Sequence, residues 1–373
     1  MSWASPNSVA VYIHWPFCAK KCPYCDFAVT VRKQVGEAAV VTALIAELAQ
    51  TAALYPIKPK AHSIYLGGGT PSLMTPDSVE QLIQAVDTHL GRTENCEITL
   101  EANPTDAEAG KFAGFAKAGV NRLSLGIQSL DDTELMILGR NHNGNQARSA
   151  LDLAQRHFPN FSLDLMYALP RQKADGWADR VHELLVWQPT HISLYQLTIE
   201  ANTVFEKAVK RGILVPFDDD NAADLYEETA DLLNHAGYPA YEVSNHAKPG
   251  YESRHNLSYW RYEDYLGIGP GAHGRLTLNG QKHATENPRL LTVWESKTTV
   301  SARALTPQEA DEEAFLMSMR TKEGAMVGAN LSINHQQLEF LIDQGMMTKD
   351  GNGLRATREG WLRLDTITGM LLT

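Results

Sequence analysis

Six short runs rich in β-branched and aromatic residues alternate with stretches of helical periodicity over the first 200 residues, and that alternation limits the chain to few architectures. The runs are VAVYIHW at 9–15, SIYLGG at 63–68, EITLEA at 97–102, NRLSLGIQ at 121–128, FSLDLMYAL at 161–169 and HISLYQL at 191–197. Between them lie the apolar-periodic segments 37–54, 76–90, 106–118, 144–157 and 176–187, each with a helix-like spacing of apolar positions. Two of these open on capping signals: Thr75-Pro76-Asp77, with proline at the first helical position, and Thr105-Asp106 with Glu108 behind it. Strand and helix in alternation, with nearly continuous apolar strands, predict an α/β fold: a parallel sheet covered by helices, as a barrel or as an open doubly wound sheet.

In either case the chemistry belongs at the C-terminal ends of the strands. Cys18, Cys22 and Cys25 follow the first strand, GGGTPS the second, EANPT the third and GIQS the fourth. Packing alone gives little reason for four successive strand ends to carry such residues.

Three of the four cysteines fall within eight positions. The first residues, MSWASPNSV, lack a basic and an apolar region, and no apolar run approaches the roughly 20 residues of a membrane span. The expectation is a cytoplasmic protein, where a tight C-x3-C-x2-C group holds a metal or does redox chemistry rather than pairing in disulfides. Three thiolates suit an iron–sulfur cubane with one iron left open. They equally suit zinc, with His14 as fourth ligand. Trp15, Phe17, Tyr24 and Phe27 would shield a cluster, or would simply belong to the core.

The formal charge of −11 excludes a general affinity for nucleic acid or anionic lipid, both of which need a basic surface. Lys20, Lys21, Arg32 and Lys33 beside the cysteines could still form a local basic patch. Beyond residue 200 a helix is expected at 218–236, then AYEVSNHA at 240–247 and a turn-rich stretch, HNLSYWRYEDYLGIGPGAHG, at 255–274. The last part reads as two helices and a hairpin with Asp350-Gly351-Asn352-Gly353 at its tip, a small mainly helical, winged-helix-like module. Its acidic first helix favours a structural or docking role over DNA reading. Expected boundaries are 1–215, 216–300 and 301–373.

The segment Tyr12-x-His14-x-Pro16-Phe17-Cys18-x3-Cys22-x-Tyr24-Cys25 resembles the cluster motif of the radical S-adenosylmethionine (SAM) proteins. Within them it is similar to the branch of oxygen-independent coproporphyrinogen III dehydrogenases and related heme chaperones. Gly67-Gly68-Gly69-Thr70-Pro71-Ser72, Glu101-Ala102-Asn103-Pro104, Arg122 to Ser129, Asp164 to Tyr167 and the 255–274 stretch extend the resemblance over most of the chain. It implies a partial (β/α)6 barrel as core. It implies that Cys18, Cys22 and Cys25 bind a [4Fe–4S] cluster whose fourth iron is chelated by the methionine part of SAM, which an electron can cleave to a 5′-deoxyadenosyl radical. Tyr12, Gly68, Gly69, Thr70, Glu101, Gln128, Arg140 and Asp164 would line the SAM site. Glycines let the backbone approach the methionine amino group, carboxylates suit the ribose hydroxyls, and Arg140 suits a carboxylate.

The dehydrogenases resemble C-x3-C-x2-C-x-C and carry a longer leading segment; here Phe27 stands at the last cysteine and 17 residues precede Cys18. His255-Asn256-Leu257-Ser258-Tyr259-Trp260 matches an HNxxYW signature associated with heme binding in the chaperones. The resemblance thus implies a chaperone that binds heme, with His255 as ligand and His273 as a second candidate, and passes it to acceptor hemoproteins such as respiratory enzymes. It also implies a homodimer favoured by cluster loading. Imidazole is a common axial ligand, and Tyr259 and Trp260 offer flat apolar surface. The alternative is a dehydrogenase acting on coproporphyrinogen III.

Overall fold

The computed structural model describes residues 7–31, 36–296 and 299–372; Arg32 and Lys33 of the basic patch lie outside them. The six expected strands form, as β1 (Ser8–Trp15), β2 (Lys60–Gly68), β3 (Arg92–Ala102), β4 (Arg122–Gln128), β5 (Phe161–Tyr167) and β6 (His191–Gln196). Each pairs in parallel with the next. Their apolar residues are buried almost without interruption, as a sheet covered on both faces requires. Four intervening helices are close to expectation: α1 (Glu37–Ala52), α2 (Pro76–His89), α3 (Gly144–His157) and α4 (Trp177–Leu185). In α2 the Thr75 hydroxyl accepts from the Ser78 amide, with Pro76 at the first turn, so the capping signal acts as read. The 106–118 segment is instead two short helices, Asp106–Ala109 and Phe112–Lys117, broken at Gly110-Lys111. The Lys111 ammonium leaves the helix line to donate to the carbonyls of Ser72, Leu73 and Met74.

The core is a partial barrel. After α5 (Asp219–His235) come β7 (Ala240–Glu242), β8 (Asn245–Ala247), α6 (Arg254–Trp260), β9 (Tyr265–Ile268), β10 (His273–Leu278), β11 (Gln281–Glu286) and β12 (Ala302–Ala304). All twelve strands form one sheet in the order β12-β11-β10-β9-β1-β2-β3-β4-β5-β6-β8-β7. β9 pairs in parallel with β1, a seventh parallel strand that the turn-rich reading of 255–274 did not foresee. The same stretch contains α6, capped by Ser253 and with the Glu97 carboxylate on its first amides.

One hydrophobic core runs from Val9 to Trp294, taking in residues from α5, β9 and β10 along with the six-strand region. A second is formed by Phe315, Met319, Leu338, Leu341, Leu354, Ile367 and their neighbours. Around it lie α7 (Pro307–Ser318), a helix at His335–Asp343, a three-stranded antiparallel sheet and two closing helices. The hairpin tip falls at Gly351-Asn352, between strands that pair Asp350 with Gly353. Arg275 clamps Glu313 of α7 through two nitrogens at 2.7 and 2.8 Å, and the Tyr262 hydroxyl adds a third bond at 2.6 Å. These bonds seat α7 against the sheet extension.

Phe315 is fully buried at the centre of the second core. Phe315→Ala is expected to destabilise that region by about 3–5 kcal/mol, read as faster amide exchange across 307–371 with protection of β1–β6 retained.

Candidate functional site

The C-terminal ends of β1 to β6 surround a cavity of about 420 Å3. All three clustered cysteines line it. Burial pushes the Cys18 thiol up to about 11 against a hydrogen bond from Thr70, and burial raises Cys25 as well. Ligation requires thiolates, so loading this loop with iron must expel protons. The Thr70 hydroxyl points at Cys18 Sγ and the Arg140 guanidinium at Cys22 Sγ, each at 3.6 Å. Among the described residues no three His, Cys, Asp or Glu side chains converge closely enough to grip one metal ion. A cubane makes no such demand, because each thiolate binds a different iron.

Zinc loses its fourth ligand on geometry. His14 is buried, Nδ1 accepts from the Tyr12 hydroxyl at 2.9 Å and Nε2 donates to the Ala28 carbonyl at 3.0 Å. Burial also lowers its pKa, so it is a neutral core histidine. Trp15 and Phe17 are likewise core residues, 1% and 0% exposed; only Tyr24 and Phe27 of the expected aromatic shield reach the cavity.

Gly68, Gly69, Thr70, Glu101, Gln128, Arg140 and Asp164 line this cavity together. Gly69 fits only without a side chain: a Cβ would stand 2.5 Å from the Phe17 carbonyl oxygen and 2.8 Å from that of Trp15. Glu101 accepts from the Tyr65 hydroxyl at 2.8 Å and the Gly68 amide at 3.1 Å. Asp164 accepts from Ser124 at 2.8 Å and Ser162 at 3.1 Å. Gln128 ends β4 in a left-handed conformation, φ 66°, which costs about 1–3 kcal/mol for a non-glycine residue. Its Oε1, like Arg140 Nε, is buried without a hydrogen-bond partner among the described residues. Orphaned polar atoms, paired carboxylates, a guanidinium and three thiols in one cavity fit a polar cofactor beside a cluster.

Two expected residues lie elsewhere. Tyr12 bonds to His14 through its hydroxyl, packs near Tyr65 and His255, and lines a neighbouring cavity instead. His255 is 1% exposed. Its Nδ1 meets the Ser63 hydroxyl at 3.0 Å, its Nε2 meets the Tyr259 hydroxyl at 2.7 Å, and its ring stacks on Tyr65. In this conformation neither nitrogen is open to an iron. Asn103 is a site residue not singled out by the sequence reading: its amide donates to Thr70 at 3.1 Å and its oxygen accepts from Arg140. Its place in the EANPT strand end was the available signal.

Burial raises the Glu101 carboxyl to about 7, against the Tyr65 hydrogen bond. A ribose hydroxyl donates to the ionised form. SAM affinity should therefore rise with pH up to about 7 and fall below it, by as much as about tenfold per unit. Calorimetry across pH 5–8 checks this, and Glu101→Gln should flatten the profile.

An open barrel with three thiols at the end of its first strand, facing a cofactor-sized polar cavity, defines a radical SAM protein, and residues 12–184 match the Radical SAM superfamily. The chain is 38% identical to the mouse protein named "Radical S-adenosyl methionine domain-containing protein 1, mitochondrial", over 99% of this chain and 89% of that one. It is 37% identical to "Heme chaperone HemW" of Haemophilus influenzae and 36% to that of Escherichia coli, over 98% of both chains in each case. The chain belongs to the HemW family of radical SAM proteins. The structure of Escherichia coli coproporphyrinogen III oxidase (HemN) shares the fold, with a TM-score of 0.79 at 20% identity, over 98% of this chain and 90% of that one. The cofactors of a radical SAM protein are a [4Fe–4S] cluster and SAM; Cys18, Cys22 and Cys25 would hold the first, and the residues of the 420 Å3 cavity the second.

Proposed function

We propose that this protein is a heme chaperone: it binds heme and passes it to acceptor hemoproteins, respiratory enzymes among them. The observation that carries this reading is the match, along nearly the whole of both chains, to proteins named for heme chaperoning. When bound, the cluster supplies one-electron chemistry to SAM beside it. This chain's own residues hold that pair: Arg140 and Thr70 donate toward the cysteine sulfurs, while Glu101 and Asp164 present carboxylate oxygens held by hydroxyl and amide donors. Phe27, at the position of the dehydrogenases' extra cysteine, supplies no sulfur, which favours heme handling over coproporphyrinogen turnover.

Among the described residues no helix is long and apolar enough to cross a membrane. The reading includes a cytoplasmic protein that reaches membrane-bound acceptors by peripheral contact, and a homodimer formed on cluster loading. Titrating heme into cluster-loaded protein tests the core of it. One heme per chain with a sharp Soret band is expected; absence of saturable binding contradicts it.

A further inference from the structure

The Asp164 carboxylate faces the SAM cavity, and a chain of buried polar groups stands behind it. Ser162 lies two residues earlier on the same face of β5, and its hydroxyl donates to Asp164 Oδ1 at 3.1 Å. In register with Ser162 on the neighbouring strand stands His191, the first residue of β6. Its Nδ1 lies 2.8 Å from the Ser162 hydroxyl, and its Nε2 lies 2.8 Å from the Tyr241 hydroxyl. Ser162 and His191 are 0% exposed and Tyr241 is 3% exposed, so water does not compete for these bonds.

The carboxylate sets the direction of every proton in the chain. It only accepts, so the Ser162 proton goes to Asp164 and the Ser162 oxygen takes a proton from His191 Nδ1. Burial first, and the Arg122 charge second, hold the imidazole well below its ordinary pKa. It is therefore neutral, with one proton on Nδ1, and its bare Nε2 accepts from Tyr241. The opposite tautomer would leave one of the two Ser162 contacts as a pair of acceptors without a proton between them. Bonds aligned in one direction polarise and strengthen one another.

The far end of the chain is fixed as well. The Tyr241 carbonyl accepts from the Lys322 amide at 3.2 Å, and the Val243 amide donates to the Arg320 carbonyl at 3.2 Å. Glu242 between them is fully buried, with the Arg320 guanidinium 3.4 Å away. The segment that follows α7 thus grips β7, the strand from which the chain starts.

Resting on the reading of this cavity as the SAM site, with Asp164 on the ribose, we propose that Ser162 and His191 are positioning residues for SAM. The chain Tyr241–His191–Ser162 locks Asp164 in the orientation that receives a ribose hydroxyl, while neither Ser162 nor His191 lines the cavity itself. A carboxylate already held in its bound orientation loses no freedom when the cofactor arrives.

The test titrates full-length, cluster-loaded wild type, Ser162→Ala, His191→Phe and His191→Asn with SAM by calorimetry. Each titration is repeated with 2′,3′-dideoxy-SAM, which lacks the ribose hydroxyls, and unfolding midpoints are read alongside. Ser162→Ala and His191→Phe should each bind SAM about tenfold more weakly, the order expected for a hydrogen bond to a charged group. Both should bind the dideoxy analogue within about twofold of wild type, because the contact they serve is absent from that arm of the cycle. His191→Asn places its amide nitrogen where Nδ1 stood and keeps the donor to Ser162. It should lower the unfolding midpoint, since the Tyr241 hydroxyl loses its acceptor, and yet retain SAM affinity. Affinity that follows the unfolding midpoint across the variants, or an equal loss for SAM and the analogue, would reduce the chain to a structural role and overturn the proposal. Wild-type SAM affinity in both Ser162→Ala and His191→Phe would overturn it too, with the reading of the site intact. Wild type that binds SAM and the analogue equally would take Asp164 off the ribose, and the reading of the site would fail with the proposal.

Discussion

Replacing any one of Cys18, Cys22 and Cys25 by alanine is expected to strip the protein of its cluster, from about four irons per chain to a small residue. The three thiols all line the cavity at the strand ends, and a cubane left with two thiolates has lost a third of its cysteine anchorage, which opens it to exchange and oxidation. The polypeptide should survive the change, because Cys22 and Cys25 are only half-buried on a loop outside the main core. Cys96→Ala is the control: that thiol sits in the barrel core, where burial pushes it up to about 12, and iron loading should be unaffected. Iron and sulfide analysis after anaerobic reconstitution, with absorbance and circular dichroism on the same samples, separates loss of the cluster from loss of the fold.

Gly69→Ala is expected to abolish SAM binding, with affinity down by about 100-fold or more, since a displacement of order 1 Å at a positioned site costs that much. The added methyl group meets backbone carbonyls of Trp15 and Phe17, not a flexible side chain, so the strand-end loop itself must move. The Gly69 amide donates to Trp15 at 2.7 Å and the Thr70 amide to Phe17 at 2.8 Å; both bonds tie the glycine loop to the strand that carries the cysteines. Cluster loading should fall with SAM affinity, since Thr70 and Cys18 move together. Gly369→Ala, in a helix with open space around the new methyl, should leave SAM binding untouched. Calorimetric titration of SAM into the reconstituted variants reads the difference.

Much of the barrel was legible because its determinants are local. Buried parallel strands need unbroken apolar runs, and VAVYIHW or FSLDLMY has no other easy reading; helix starts such as Thr75-Pro76 announce themselves through their own first turn. The elements that escaped depend on distant partners. Residues 254–260 become a helix because Ser253 caps them and Glu97, some 157 residues away, takes their first amides. β9 has only four residues and is a strand because β1 offers it a free edge. The break at Gly110-Lys111 follows from a lysine drawn to three carbonyls near the glycine loop.

The site divides the same way. Glu101, Gln128 and Asp164 sit on three successive strands, so any parallel sheet of this order gathers them. Tyr12 and His255 depend on which face of a strand, and which side of a helix, packs inward. His255 reads as a ligand because imidazole beside aromatics is what a ligand looks like; in the fold Ser63, 192 residues distant, holds its Nδ1 and the Tyr259 hydroxyl meets its Nε2. The Ser63 partner is invisible in a linear reading.

The central claim is that heme passes through this protein to another. The most direct measurement loads the cluster-bound chain with one heme, adds an apo-hemoprotein in excess, and follows the Soret band of each partner after rapid separation. The account predicts that heme leaves the chain and appears in the acceptor, faster than free heme is captured from buffer by a scavenger. Heme that stays on the chain, or that reaches acceptor and scavenger at the same rate, would contradict it.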